Sequence, residues 1–166
     1  MNRVVERCPG CGALVAGGRE GCQALWDEVA ARAYSDFQYA GVHDLAFDAY
    51  CLQHPETYCR SAKSYAAHLT RLCCGLEYDG NRGTYAAIQQ WLNGAVSIEK
   101  PERLPALGQV TIAEVRTART GEEHTKLARA WAENVWEAYA AQQEIARTWI
   151  RAALGNTRTK KPGPAQ

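Results

Sequence analysis

Three cysteines near the amino terminus constrain the fold of this chain more than any other feature. Cys8 and Cys11 are separated by two residues, in the sequence Cys-Pro-Gly-Cys-Gly, and Cys22 follows directly after Gly21. Two cysteines at this spacing can direct both sulfurs at one ion, and glycine between them lets the backbone turn tightly. Three thiolate ligands favour zinc over magnesium or calcium. The sequence therefore predicts a zinc knuckle formed by Cys8, Cys11 and Cys22.

The fourth ligand must come from elsewhere, because the chain has no second Cys-x-x-Cys pair. Apolar residues at helical spacing predict a first helix over residues 22–34 and a second over residues 39–53. If these helices are antiparallel neighbours, the end of the second lies beside the start of the first. His54 is then the first choice and Cys51 the second. His43 would lie about 16 Å from His54 along one helix, so the two could not share an ion.

Two alternatives to a metal site remain for the cysteine pair. A redox-active Cys-x-x-Cys usually lies at a helix start that follows a strand, and no strand is predicted before Cys8. The pair could also remain without a metal. Because the chain has seven cysteines, an odd number, at least one thiol stays outside any disulfide pairing.

Length and composition favour one globular domain. The chain has 166 residues, of which 46% are hydrophobic and 22% charged, and this composition is typical of a packed core. The net charge of +1 argues against a large nucleic-acid footprint. No apolar run approaches the roughly 20 residues of a membrane span, and the first residues lack the apolar region of a signal peptide. The cytoplasm is the expected compartment.

The remaining periodicity predicts an all-α fold, a bundle of four to six helices with the zinc knuckle at its amino terminus. The further predicted elements are helices over residues 61–78 and 84–93, a loop over 94–110, a short helix over 111–115 and a long last helix over 120–154. Residues 1–154 are expected to form one domain, with the glycine-rich residues 1–21 as an irregular segment packed on the bundle. The basic, Pro/Gly-rich residues 155–166 are expected to form a disordered tail.

A second group of polar residues lies on the second and third predicted helices. If these helices fold back on each other, His68 lies level with Asp48, close to His43 and Tyr50, which makes these four residues the catalytic candidates. They could carry acid–base chemistry, or His43, His68 and His124 with Asp48 could form a second metal site. The third possibility is that each residue is a buried polar group hydrogen-bonded to its neighbours.

Several motifs resemble, in the same order, those of an uncharacterised bacterial family, a domain of unknown function common in actinobacteria. The similar strings are Cys8-Pro-x-Cys11-Gly-Ala, Gly21-Cys22, Asp48-Ala-Tyr50-x-x-Gln53-His54-Pro55, Lys63-Ser64-x-x-x-His68-Leu69 and Trp131-Ala132-x-x-Val135-Trp136-x-Ala138-Tyr139. The resemblance implies a small zinc-knuckle protein and names no reaction.

Two classes of function are compatible with these features. The first is a zinc protein with a small-molecule pocket lined by His43, Asp48, Tyr50, His68 and His124, in which the chemistry, if any, is acid–base or metal-assisted. The second is a non-catalytic, zinc-stabilised module that binds another protein. A concave pocket at Asp48 and His68 favours the first class, and a large exposed apolar patch favours the second. Nucleic-acid binding through the basic tail is a third class, against which the net charge argues.

Overall fold

The molecule is mostly helical. Its structure is a computed structural model that describes the backbone of residues 4–159 and the side chains of residues 4–156. The elements in this part of the chain are β1 (Val5–Arg7), β2 (Leu14–Ala16), α1 (Gly18–Ser35), α2 (Phe37–Ala40), α3 (His43–Gln53), α4 (Pro55–Tyr58), α5 (Ala62–Glu77), α6 (Arg82–Asn93), α7 (Ile112–Val115), α8 (Gly121–Ala138) and α9 (Gln143–Thr159). Six of the helices are longer than ten residues, so the predicted all-α bundle of four to six helices is confirmed.

Helix α3 lies at the centre of the bundle. It packs against α5 on one side and α8 on the other, while α6 and α9 pack against α5 and against each other. Leu45, Ala46 and all residues from 48 to 53 are buried. A helix that is buried nearly all round occupies a core position. The polar residues on it, Asp48 and Gln53, therefore need partners inside the protein.

The side chain of Gln53 forms its hydrogen bonds within the core. Its Nε2 donates to the carbonyl oxygens of Leu107 (3.1 Å) and Val110 (2.8 Å), and its Oε1 accepts from Trp131 Nε1 (3.0 Å). One side chain thus attaches the long loop before α7 and the helix α8 to the central helix. The sequence analysis assigned no role to Gln53.

The amino-terminal segment is more regular than the sequence predicts. Strands β1 and β2 form an antiparallel hairpin in which Glu6 is paired with Val15. Strand β1 ends directly before Cys8, so the expectation that no strand precedes the cysteine pair is wrong. These strands have only three residues each, too short for periodicity to reveal, and the turn between them carries the cysteines.

The long last helix predicted over residues 120–154 is also corrected. Helix α8 ends at Ala138, and a 3-10 turn at Ala140–Gln142 leads into α9. The Tyr139 hydroxyl donates to the carbonyl oxygen of Leu52 (2.7 Å), and Gln142 accepts from the Tyr65 hydroxyl. These core contacts fix the bend without the proline or glycine that a sequence pattern would reveal.

Helix α9 continues to Thr159, so residues 155–159 are helical and do not belong to a disordered tail as predicted. Residues 160–166 of that predicted tail lie outside the described residues. No helix in the described part of the chain combines the length and the apolar character that crossing a bilayer requires.

His124, on the first turns of α8, makes the stability of the fold depend on pH. It is buried beside the ring of Tyr39, and its Nδ1 has no hydrogen-bond partner among the described residues. Burial lowers the pKa of His124 from its usual 6.5. The unfolded chain therefore takes up this proton first, and the contribution of His124 to stability is present at neutral pH and is lost as the pH falls from about 6.5 towards the lowered pKa of the folded state.

We expect the variant His124→Gln to lose less stability than the wild type as the pH falls from neutral to mildly acidic values. Urea denaturation of both proteins at several pH values measures this. Metal loss and the titration of other groups occur in both proteins. The difference between the two plots of unfolding free energy against pH therefore gives the contribution of His124. The same change of unfolding free energy with pH in both proteins would contradict the assignment of this pH dependence to His124.

Candidate metal centre and ligand pocket

The β1–β2 turn positions Cys8 and Cys11. The Cys8 amide donates to the carbonyl oxygen of Ala13 and the Gly12 amide to that of Cys8, both at 2.8 Å. Gly12 has a φ of 79°, in the left-handed region that glycine adopts at little cost. The hairpin thus closes tightly enough for both sulfurs to face the same point.

Helices α1 and α3 bring the other two candidate ligands to that point. They run antiparallel, because Cys22 near the start of α1 lies beside His54 at the end of α3, whereas Tyr34 near the end of α1 contacts His43 at the start of α3. The start of α1 therefore lies beside the end of α3. Cys22 lies in the second turn of α1, and His54 follows the last residue of α3. This is the arrangement on which the prediction of His54 depended.

The four side chains form one compact cluster. Their ligand atoms all lie within 4.8 Å of one another, and all four residues are buried. His54 Nε2 is 3.5 Å from Cys8 Sγ and 3.4 Å from Cys22 Sγ, and the sulfurs of Cys11 and Cys22 are 3.6 Å apart. Ligand atoms around a tetrahedral zinc ion are separated by about 3.5–3.8 Å. The cluster could therefore hold a metal ion with little rearrangement.

The proton on the His54 ring lies where a metal site requires it. Nδ1 is 2.7 Å from the carbonyl oxygen of Tyr50, which can only accept a hydrogen bond. Nδ1 therefore carries the hydrogen, which leaves Nε2 with a free lone pair directed at the three sulfurs. A hydrogen bond of this kind on the far nitrogen fixes the ring orientation of metal-bound histidines.

The thiols of the cluster respond to one another electrostatically. A hydrogen bond from Cys22 lowers the pKa of Cys11 to about 4, whereas the pKa of Cys22, which donates that bond, is raised. Without a cation, one thiolate forms readily and a second is opposed by its negative neighbour and by burial. A divalent ion would offset two of the three thiolate charges and so would favour deprotonation of all three thiols.

Cys51, the second choice for the fourth ligand, lies outside this cluster. It is completely buried, and burial raises the pKa of its thiol, which keeps it protonated. Its carbonyl oxygen accepts from the Cys59 thiol (3.6 Å). His54 is thus the fourth member of the cluster.

The Asp48–His68 pair expected from the sequence is formed. His68 Nδ1 is 2.9 Å from Asp48 Oδ1, and Arg71 Nε donates to Asp48 Oδ2 (3.1 Å). Asp48 has no solvent exposure. Burial raises the pKa of Asp48, while the hydrogen bonds from His68 and Arg71 act in the opposite direction. Arg71, one turn after His68 on α5, was not singled out in the sequence analysis.

His68 and His43 line one cavity of about 510 Å3, together with Trp26, Phe47 and Arg71. Because Asp48 occupies Nδ1 of His68, the other ring nitrogen, Nε2, has no protein partner among the described residues. Asp48 lies behind the wall rather than in it, since it is fully buried. The cavity therefore exposes a histidine and an arginine that share one buried carboxylate.

Tyr50 was predicted to line the same pocket, and this prediction is wrong. Its hydroxyl donates to Gln23 Oε1 (3.2 Å), and it lines a different cavity beside His54. The Trp26 ring stacks on Tyr50 and on His43, which are two turns apart on α3, and so separates the two cavities. The helical register of α3 places Tyr50 towards the metal cluster.

A second metal site at His43, His68, His124 and Asp48 is not supported. Among the described residues, the cluster of Cys8, Cys11, Cys22 and His54 is the only group of three or more suitable side chains that could hold an ion. His124 instead contacts Tyr39, at the α2–α8 contact, and does not line the cavity at His43 and His68.

Comparison with known proteins gives a family but no activity. The model of a family of unknown function, DUF5946, matches residues 6–140, which is more than half of the chain. This chain belongs to that family. The matched stretch includes the metal cluster and the Asp48–His68 pair. No curated protein and no solved structure matches the chain.

A substitution at Gly10 tests how tightly the metal centre is packed in this member of DUF5946. A Cβ atom at Gly10 would lie 2.5 Å from His54 Cδ2 and 3.0 Å from the carbonyl oxygen of Gln53. We expect Gly10→Ala to displace the His54 ring and to weaken zinc affinity by roughly 10-fold, the effect of a disturbed ligand orientation. Competition with a chromogenic chelator measures the affinity.

Gly41→Ala is the matched control, because a Cβ atom there meets nothing within 4 Å and its φ is −61°. This variant should retain the wild-type affinity. Equal affinities of the Gly10 variant and the wild type would show that Gly10 does not constrain the ligand.

Proposed function

We propose that this protein is a zinc-stabilised helical protein whose cavity at His43 and His68 binds a small molecule and carries acid–base chemistry. The main support for this proposal is the hydrogen bond between the buried Asp48 and His68, which orients His68 towards that cavity. The metal centre holds the amino-terminal hairpin on the helices that form the cavity wall. The cytoplasm is the proposed compartment, because all seven cysteines are free thiols.

The donor set favours a structural zinc ion. Three thiolates and one imidazole form a four-coordinate set that is typical of structural zinc sites, whereas catalytic sites keep one position open for water. All four ligand residues are buried, which restricts access of substrate to the ion. Metal-assisted chemistry is therefore less well supported at this site than acid–base chemistry in the other cavity.

The cavity has the features of an acid–base site. Asp48 holds His68 in one orientation, and the free Nε2 of His68 can take or give a proton. Arg71 lines the same cavity and can stabilise negative charge that develops on a bound molecule. Trp26 and Phe47 supply apolar wall area, as is usual for small-molecule sites.

We expect the purified protein to contain one equivalent of zinc and the His54→Ala variant to contain much less. Loss of the ion removes the link between the hairpin and the helices, so the melting temperature should fall by roughly 5–10 °C. Elemental analysis and thermal denaturation measure the two effects.

Cys51→Ala is the matched control for this experiment, since Cys51 lies three residues before His54 but outside the cluster. It should retain the zinc, although removing a buried side chain lowers its stability. A wild-type protein without zinc after purification under metal-replete conditions, or zinc retained by His54→Ala, would overturn the structural zinc site.

The Asp48–His68 pair can be tested without knowing the substrate. We expect nitrogen NMR of the wild-type protein to show the hydrogen of neutral His68 on Nδ1, because Asp48 accepts from that atom. Asp48→Asn should give a mixture of the two ring tautomers. Asp44→Asn is the control, since Asp44 is exposed and forms its ion pair with Arg71, at 3.7 Å, rather than with His68.

Ligand binding at the cavity can be tested in the same spectra. Members of a fragment library that bind should shift the His43 and His68 signals, and Ala67→Trp should abolish these shifts because Ala67 lines the cavity. Ala86→Trp, at an exposed position of α6, is the control. A library without any binder, or binding that is unchanged in Ala67→Trp, would refute the small-molecule pocket.

A protein-interaction module is the second candidate function. It is favoured by the exposed apolar side chains of Val4, Val5 and Leu14 on and beside the hairpin. The two candidates differ in the residues they require. Ala67→Trp alters the cavity, and Leu14→Glu places a charge on the exposed hairpin. If the activity of the protein survives the first substitution and is lost with the second, the interaction module is favoured over the pocket.

A further inference from the structure

A third cavity shares no lining residue with the cavity beside His54 or with the cavity at His68. It has a volume of about 360 Å3 and lies between α4, the start of α5 and the loop that follows α6. Its charged lining residues are Arg60, Lys100 and Arg103, with Glu56 as the one carboxylate. The lining thus has an excess of positive charge, unlike the Asp48 site, where two carboxylates balance Arg71.

The ammonium group of Lys100 is held in place by backbone oxygens rather than by a carboxylate. Its Nζ donates to the carbonyl of Cys59 (2.5 Å), is 3.4 Å from that of Arg60, and lies 5.7 Å from the centre of the Tyr65 ring. An ammonium has three donors, so one remains for a ligand. Among the described residues, no ion pair neutralises Lys100 or Arg60, whereas Arg103 pairs with Glu56.

Beside its charged groups the cavity has apolar lining residues, and the hydroxyl groups of its two tyrosines do not point to it as free donors. Tyr65 donates to Gln142 and Tyr139 donates to the carbonyl of Leu52, so both hydroxyls are already paired inside the core. Because Tyr65 is only 3% exposed and Tyr139 1%, most of the accessible apolar surface comes from Pro101 and Leu104, which are partly exposed. A molecule that fits must combine a compact apolar body with negative charge.

We propose that this cavity binds a small organic carboxylate, with its apolar body against Pro101 and Leu104 and its anionic group on Lys100 and Arg60. The volume lies at the lower end of the roughly 300–1,000 Å3 range of small-molecule sites. The proposal is independent of the chemistry at His68, because the two cavities share no lining residue.

Calorimetric titration with phthalate, inorganic phosphate and benzamide tests this proposal. Phthalate supplies both the ring and the charge, phosphate supplies only the charge, and benzamide only the ring. We expect phthalate to bind at least about 10-fold more tightly than either of the others, and the affinity to fall with added salt. Tyrosine ring signals in NMR spectra should shift on binding, because both tyrosines line the cavity.

Lys100→Met removes the charge but keeps the length of the side chain, and we expect it to weaken phthalate binding by about 10-fold or more. Lys63→Met is the matched control, because Lys63 also donates to a backbone carbonyl, that of Gly94, but does not line the cavity. Leu104→Trp, which fills the cavity, should abolish binding even if Lys100→Met loses stability.

Three results would overturn the proposal. The first is that phthalate does not bind the folded wild-type protein up to millimolar concentrations. The second is that phosphate or benzamide binds as tightly as phthalate, which would remove the requirement for a combined ligand. The third is equal phthalate affinity in Leu104→Trp and the wild type, which would place binding outside the cavity.

Discussion

The contact between the cysteine hairpin and the end of α3 is the constraint on which the amino-terminal part of the molecule depends. Val5 is 63% exposed and Leu14 60%, so apart from its cysteines the hairpin buries mainly the small side chains of Ala13 and Val15. Hydrophobic burial alone contributes little to holding such a segment. Four potential ligand atoms from residues up to 46 positions apart meet here, and an ion bound by them would contribute directly to the free energy of folding.

The metal centre and the pocket at His68 are linked by packed aromatic rings. The His54 ring contacts that of Tyr50 at 4.2 Å between centres, Tyr50 stacks on Trp26 at 4.8 Å, and Trp26 contacts Phe47 at 5.7 Å. Phe47 in turn contacts the edge of the His68 ring. Because these rings pack against one another, a metal ion that fixed His54 would also restrict Tyr50 and Trp26, and Trp26 lines the pocket.

The sequence predicted the residues of the metal cluster more completely than it predicted those of the pocket at His68. The spacing of Cys8 and Cys11 and the length of two antiparallel helices were sufficient to predict His54, because helix geometry fixes where each end lies. Periodicity did not reveal the three-residue strands of the hairpin or the bend at Tyr139, which depends on a hydrogen bond to Leu52 across the core. Periodicity also assigned Tyr50 to the cavity at His43 and His68, whereas Tyr50 lines the cavity beside His54. The packing of Trp26 separates these two cavities, and periodicity does not reveal it.

The buried charge of Asp48 argues for a function at His68. Desolvating a carboxylate costs several kcal/mol, and an apolar residue of similar size often packs with equal or greater stability. Here the cost is offset by the hydrogen bonds from His68 and Arg71, which together use both carboxylate oxygens. Packing alone does not require a buried carboxylate at the centre of α3. It does orient a histidine whose second nitrogen opens on a cavity, which is the geometry that proton transfer requires.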